Sequence, residues 1–213
     1  IASWGFDHVR LPVDYPVLES DDAPGVYRED GFQYVDACLA WCEAGLGVAF
    51  DLHHAPGYSF NHTLCPETQH LNVLFDEEAA QQRFIALWEA IVRRYHAAGT
   101  PILFELLNEV VLPESGPWNA LAHRTVAALR AIAPDCTLMI GGNHYNAASE
   151  LKNIALLEDA NVTYTFHFYE PLLFTHQQAP WVEVARELDQ PLDYPGAHTN
   201  LGAFLERRPQ FLE

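Results

Sequence analysis

Short, almost uninterrupted apolar runs alternate along this chain with longer stretches whose apolar residues recur at helical spacing, and no other feature restricts the fold as much. Five runs read as buried strands: residues 6–13 (FDHVRLPV), 47–54 (GVAFDLHH), 102–108 (ILFELLN), 137–142 (TLMIGG) and 162–169 (VTYTFHFY). Phe32, Val35, Leu39, Cys42 and Leu46 predict an amphipathic helix before the second run. Phe84, Leu87, Trp88, Ile91, Val92 and Tyr95 predict another, with Asp76, Glu77 and Glu78 ahead of it and Arg93 and Arg94 at its end, the signs that the helix dipole favours. Leu121, Thr125, Leu129 and Ile132 predict a third, ended by Pro134 and Asp135, and a further helix is expected near residues 148–158. Strands that are apolar along both faces must be covered on both, so the pattern predicts a parallel sheet under helices, either doubly wound or closed into a barrel.

The polar residues separate the two. Arg10, His53, Asn108, Glu109, His167 and Tyr169 stand at or near the C-terminal ends of four strands. In a barrel those ends converge on one pocket, whereas an open sheet collects its ligand mainly at one switch point. No glycine-rich phosphate loop follows a strand either. The expected fold is therefore α/β, a (β/α)8 TIM barrel that is incomplete in this chain. After Tyr169 the sequence is rich in Pro and polar residues, and no further apolar strand is read before Glu213. Residues 1–213 are taken as a single domain fragment, and because the chain opens IASWGF without an initiator methionine, both ends are expected to be cut.

Charge narrows the partners. Lys and Arg number 11 against 29 Asp and Glu, a formal net charge of −18, which repels phosphate backbones and anionic lipid, so neither nucleic acid nor membrane is expected. No apolar run approaches the roughly 20 residues of a membrane-spanning helix. Cys38, Cys42, Cys65 and Cys136 form no C-x-x-C pair, so neither a zinc site nor a disulfide framework is expected.

A carboxylic acid such as Glu109, desolvated at a pocket mouth near a second carboxylate, can stay protonated and donate to a leaving oxygen, which is the acid half of glycoside hydrolysis. Capping a loop or pairing with an arginine is the competing role. His167 and Tyr169, two apart on a strand, would share a face. His53 and His54, adjacent on theirs, would point to opposite faces and so would not bind one metal ion together. Arg10, on an apolar strand, is expected to pair with Glu105, Asp51 or another pocket carboxylate.

Taken in order, GFDHVRLPVDY, VAFDLHHAPG, ILFELLNEV and TYTFHFYEP closely resemble glycoside hydrolase family 5, a barrel family that contains many cellulases and mannanases. The resemblance covers essentially the whole chain, from the second barrel strand to the loop after the sixth, so the first, seventh and eighth strands would be missing. It implies that Glu109 is the acid/base, that Asn108 bonds the sugar 2-hydroxyl, and that Arg10 orients the nucleophile's carboxylate. His53 matches the family's histidine after the third strand, His54 is a possible sugar contact, and His167 and Tyr169 match the His-x-Tyr of the sixth strand. The family's nucleophile, a glutamate ending the seventh strand, is absent from this chain, as is the tryptophan of the eighth. The acids after Tyr169 (Glu170, Glu183, Glu187, Asp189, Asp193, Glu206 and Glu213) end no apolar strand.

What the resemblance implies is a retaining glycosidase of β-1,4-glucan, with mannan or another β-glucan as the alternative and the fragment itself inactive. No cofactor and no metal are implied; a polysaccharide or oligosaccharide is the partner, and secretion or a periplasmic location follows from a polymeric substrate. Two rivals stand beside it. One is a non-catalytic carbohydrate-binding barrel; the other is a metal-dependent barrel hydrolase, suggested by 11 histidines but lacking a His-x-His pair on a strand. Trp118, Trp181 and Tyr145, read as loop residues, are candidates for stacking on sugar faces, with ordinary loop packing as the alternative.

Overall fold

Each of the five predicted runs contains a strand, and the strands lie side by side in chain order, all parallel. The computed structural model describes residues 1–63, 66–195 and 201–211. The chain begins with a 3-10 turn (Ala2–Trp4), β1 (His8–Asp14), α1 (Tyr15–Leu18), a small hairpin of β2 (Glu19–Ser20) and β3 (Ala23–Tyr27), α2 (Glu29–Cys42), β4 (Gly47–His54), α3 (Phe60–Thr63) and a 3-10 turn (Gln69–Leu71). It continues with α4 (Glu78–Tyr95), β5 (Ile102–Glu105), α5 (Gly116–Arg130), β6 (Thr137–Gly141), a short turn α6 (Asn143–Asn146), a 3-10 segment (Ala148–Asn153) and β7 (Val162–Thr165). After that come α7 (Leu172–Thr175), α8 (Glu183–Leu188), α9 (Leu201–Arg207) and a 3-10 turn (Pro209–Phe211). Two compact units divide the chain, Ile1–His167 and Phe168–Glu213.

In the first unit the sheet order is β1-β4-β5-β6-β7. The period of two sorts the side chains. Val48, Phe50 and Leu52 of β4 are buried against the helices, and Phe104, Leu138 and Ile140 continue that layer across β5 and β6. Phe84, Leu87, Trp88, Ile91 and Val92 give α4 a fully buried stripe, and the Trp88 ring stands edge-on to Phe50 at 6.0 Å and to Phe104 at 6.2 Å. At about 1.5–3 kcal/mol for each large side chain removed from water, this layer is the main stabilising element of the unit. The opposite parity, Arg10, Ala49, Asp51 and Glu105, faces the concave side. The second unit has its own small aromatic contacts, Phe174 with Tyr194 at 5.2 Å and Phe204 with Phe211 at 5.8 Å.

Several expectations need correction. β5 ends at Glu105 rather than at residue 108, because the Leu106 amide stays with Met139 O of β6 while the Asn108 amide turns back to Leu52 O of β4, a split that regular pairing cannot accommodate. β7 ends at Thr165, so His167 and Tyr169 are not strand neighbours, and Phe166, inside the run read as a buried strand, is exposed. The helix expected at 148–158 is only a 3-10 segment. The β2–β3 hairpin, over the turn-forming stretch SDDAPG, is an element that the apolar pattern does not signal, and the Pro-rich run after Tyr169 holds short helices. Cys38, Cys42 and Cys136 are free thiols, while Cys65 lies outside the described residues.

Candidate active site

Sheet register builds the floor of the site. Arg10 pairs with Ala49, and Asp51 with Glu105, so one guanidinium and two carboxylates meet on the concave face. Arg10 Nε donates to Glu105 Oε2 at 2.7 Å, and Nη2 donates to Glu105 Oε1 at 2.8 Å and to Asn108 Oδ1 at 2.9 Å. Asp51 Oδ2 adds an ion pair to Nη2 at 3.0 Å. Asp51 and Glu105 are buried, and a buried carboxylate persists only when charge and hydrogen bonds compensate it. Burial opposes the charge on Arg10, but the hydrogen bond to Glu105 and the charges of Asp51, Glu105 and Glu109 outweigh it and raise its pKa.

The same Asp51 oxygen accepts from His53 Nδ1 at 2.8 Å, and this bond, opposed by burial, raises the His53 pKa above the usual imidazole range. Among the described residues, Asp51 Oδ1 and Asn108 Nδ2 are buried without a hydrogen-bond partner. The Asn108 amide group is thus fixed at its oxygen by Arg10 and keeps its donor for something else.

Glu109 is presented differently. It lies four residues past the end of β5 in the left-handed region, at φ 35°, where a side chain other than glycine is strained by about 1 kcal/mol or more. His167 Nδ1 lies 2.7 Å from Glu109 Oε1. The His167 backbone is itself anchored, its amide donating to Asn146 O at 2.8 Å beside a bridge to Ala147. Arg10, Glu105, Met139, Thr165 and His167 line one concave space of about 530 Å3, so the floor and the His167 end of the rim open onto the same side.

His54 belongs to the neighbouring rim, with Nδ1 2.8 Å from Asp14 Oδ1 and its ring stacked on Phe60 at 5.2 Å. The two adjacent histidines do not diverge: a register shift between Val13 and Asp14, where Val13 pairs with Leu52 but Asp14 with His54, lets their rings approach to 5.2 Å. Tyr169 is in the second unit, with its ring edge-on to His176 at 4.9 Å. Trp118 is not a loop residue and cannot reach a ligand, because it is buried in α5 and its indole donates to Gly141 O at 2.8 Å. Tyr145, on the rim after β6, is partly exposed, and burial together with the Glu109 charge raises its pKa. Trp181, in the second unit, is exposed.

Sequence reasoning missed Asp14 and Tyr58. The Tyr58 hydroxyl donates to the Glu109 carbonyl at 3.0 Å and accepts from the Val111 amide at 2.8 Å. A signal for it existed in the tetrapeptide APGY, whose Pro-Gly centre announces a tight turn. Among the described residues no group of three or more His, Cys, Asp or Glu side chains is arranged to hold a metal ion, and no helix is long and apolar enough to cross a membrane.

The fold and site therefore define an α/β protein of barrel type whose carboxylates, arginine and histidines gather toward the C-terminal ends of parallel strands. The family model "Cellulase (glycosyl hydrolase family 5)" matches residues 1–203, and the chain belongs to that family. It is 45% identical over 212 residues to Endoglucanase C of Acetivibrio thermocellus, covering 99% of this chain and 60% of that protein. It is 42% identical over 183 residues to Cellodextrinase A of Ruminococcus flavefaciens, covering 85% of this chain and 52% of the relative. Crystal structures of Thermotoga maritima Cel5A superpose with a TM-score of 0.74, at 26% identity for the cellobiose complex and 27% for the mannotriose complex, each over 99% of this chain and 64% of that one. The chain thus spans about 60% of the length of the first of these relatives, and its sheet is five strands of an incomplete (β/α)8 barrel.

Proposed function

We propose that this chain carries the acid/base half of a retaining β-glycosidase that cleaves β-1,4-glucan, with Glu109 as the acid/base. The observation that carries the proposal is the Glu109 carboxylate held by His167 at 2.7 Å, on the side of the sheet where Arg10 and Asn108 are already oriented. In glycosylation a second carboxylate, about 5 Å away in retaining enzymes, attacks the anomeric carbon; the bond from that carbon to the leaving oxygen breaks, and Glu109 gives that oxygen its proton. In deglycosylation Glu109 takes a proton from water, the water oxygen attacks the same carbon, and the ester to the second carboxylate breaks.

Each remaining side chain has a place in this scheme. Asn108 Nδ2 is the donor for the sugar 2-hydroxyl. Arg10 uses Nε and Nη2 on Glu105 and Asn108, and among the described residues Nη1 has no hydrogen-bond partner, so that edge is available to orient the attacking carboxylate. His53 and His54 line the sugar site. Asp51 and Glu105 are committed to Arg10, so neither serves as nucleophile; the 60% coverage of the Acetivibrio relative fits a nucleophile supplied from outside residues 1–213. The family match runs across both compact units, which supports a single catalytic domain. The partner is then a polysaccharide or oligosaccharide, without a part for nucleic acid, cofactor or metal, and a polymeric substrate places the enzyme outside the cytoplasm. Mannan is the second substrate reading, favoured by the mannotriose complex of the Thermotoga maritima relative.

The test is Glu109→Ala in the complete protein. Hydrolysis of cellooligosaccharides should fall about 10²- to 10⁴-fold, while kcat/KM for a 2,4-dinitrophenyl glycoside, whose leaving group needs no proton, should be largely retained. Equal loss on both substrates would remove Glu109 from the acid/base role.

A further inference from the structure

The strained backbone at Glu109 requires something to hold it, and the holding group is not one of the pocket carboxylates or histidines. Tyr58, buried and 51 residues earlier in the chain, inserts its hydroxyl between Glu109 and Val111, donating to one carbonyl and accepting from one amide. Both backbone partners flank Val110, so the two bonds close the turn from which the Glu109 side chain projects. Tyr58 is in turn fixed by its own loop. The Ala55 and Tyr58 amides exchange hydrogen bonds with each other's carbonyls at 3.1 and 2.9 Å, across Pro56 and a Gly57 whose φ of +72° suits the third position of a type II turn. Gly57 O accepts from the Val73 and Leu74 amides, and the Tyr58 ring stands edge-on to Phe75 at 5.2 Å.

We propose that Tyr58 is a positioning residue for the acid/base: its hydroxyl bridge across the Glu109–Val111 backbone maintains the left-handed turn that aims the Glu109 carboxylate. The inference rests on the role proposed above for Glu109 and deepens it. Removing the hydroxyl while keeping the ring takes away one acceptor and one donor from the turn and leaves the packing against Phe75 in place. The turn then relaxes from its strained conformation, and the carboxyl group shifts relative to the leaving oxygen. Misplacement of a reacting group by about 1 Å costs on the order of 10²-fold.

The experiment compares Tyr58→Phe, Glu109→Ala and Phe75→Leu with the parent in the full-length protein, below the melting temperature of each. For Tyr58→Phe, kcat/KM for a phenyl glycoside should fall about 10- to 100-fold, and that for the dinitrophenyl glycoside should hardly change. Phe75→Leu, which touches the Tyr58 ring but not its hydroxyl, should lower the melting temperature and leave the ratio of the two substrates as in the parent. If Tyr58→Phe does not fold, Gly57→Ala strains the same turn, its Cβ meeting Val73 Cγ2 at 3.0 Å, and should shift the ratio in the same direction. A Glu109→Ala variant with the leaving-group signature beside a Tyr58→Phe variant that loses both activities in parallel, or neither, would overturn the positioning role alone. A Glu109→Ala variant without the signature would overturn the acid/base assignment and this inference with it.

Discussion

Arg10 and Glu109 are charged groups on the same side of one sheet, yet they are held in unlike ways. Arg10 sits within β1, and parallel register sets Asp51 and Glu105 around it, so its position is a consequence of the strands being strands. Glu109 sits beyond β5 on a left-handed residue, and its position depends on groups brought in from other loops, Tyr58 from the turn after β4 and His167 from the segment after β7. The difference separates stability from function. Disturbing the floor uncovers buried charge and threatens the fold; disturbing the rim moves one carboxyl group and threatens only chemistry.

The largest effect that would break this contrast lies at Arg10. Arg10→Met leaves two buried carboxylates without their cation, and breaking a buried pair on one side costs about 3–5 kcal/mol, so denaturant unfolding should show a large share of a domain's roughly 5–15 kcal/mol gone. Adding Asp51→Asn and Glu105→Gln to that variant should recover much of the stability. A melting temperature for Arg10→Met equal to that of the parent would mean that the floor is not structural after all.

Asp51→Asn is next in size. It weakens an ion pair with Arg10 and a charge-assisted bond from His53, and a loss of about 1.5–3 kcal/mol is expected in equilibrium unfolding near pH 7. The floor also has a pH signature whose sign follows from His53. Its folded-state pKa is raised by Asp51, so the folded state holds the proton more tightly than the unfolded chain. That stabilisation is fully present below the ordinary histidine value of about 6.5 and is lost as pH rises through the raised folded value. His53→Gln should flatten that part of the stability profile, and an unchanged slope in urea titrations across it would detach His53 from Asp51. The smallest effect is at the rim: Glu109→Gln keeps the shape of the side chain, and its unfolding free energy should stay within about 1 kcal/mol of the parent while hydrolysis of cellooligosaccharides, whose leaving group needs a proton, is lost.

Much of the floor was readable in the residues. An arginine on an apolar strand must find carboxylates, and Glu105 and Asp51 were its stated candidates; both are in contact with it. The long helices were readable for the same kind of reason, since the stripe of Phe84, Leu87, Trp88, Ile91 and Val92 repeats at 3.6 residues and is buried throughout. The failures occur where local pattern and local geometry part. Period-two alternation placed His53 and His54 on opposite faces, but a bulge at the edge of the pairing brought their rings together. Trp118 is read from the sequence as a loop aromatic, yet Gly116 and Pro117 before it open α5 and the indole is core.

Periodicity and residue chemistry by themselves determined the strand–helix alternation, the parallel sheet, the polar residues gathered at its C-terminal ends and the need to neutralise Arg10. Those properties depend on neighbours two to four residues apart and on charge balance, both of which a linear sequence contains. Tertiary structure alone decided that β5 stops at Glu105, that Glu109 adopts a left-handed backbone, and that Tyr58 and His167, 51 and 58 residues away along the chain, are the groups that bond to its carbonyl and to its carboxylate. Backbone strain at one residue has no local signature when the bonds that maintain it come from loops so distant in sequence, and the two sides of the bond become visible only when the sheet has brought those loops to one rim.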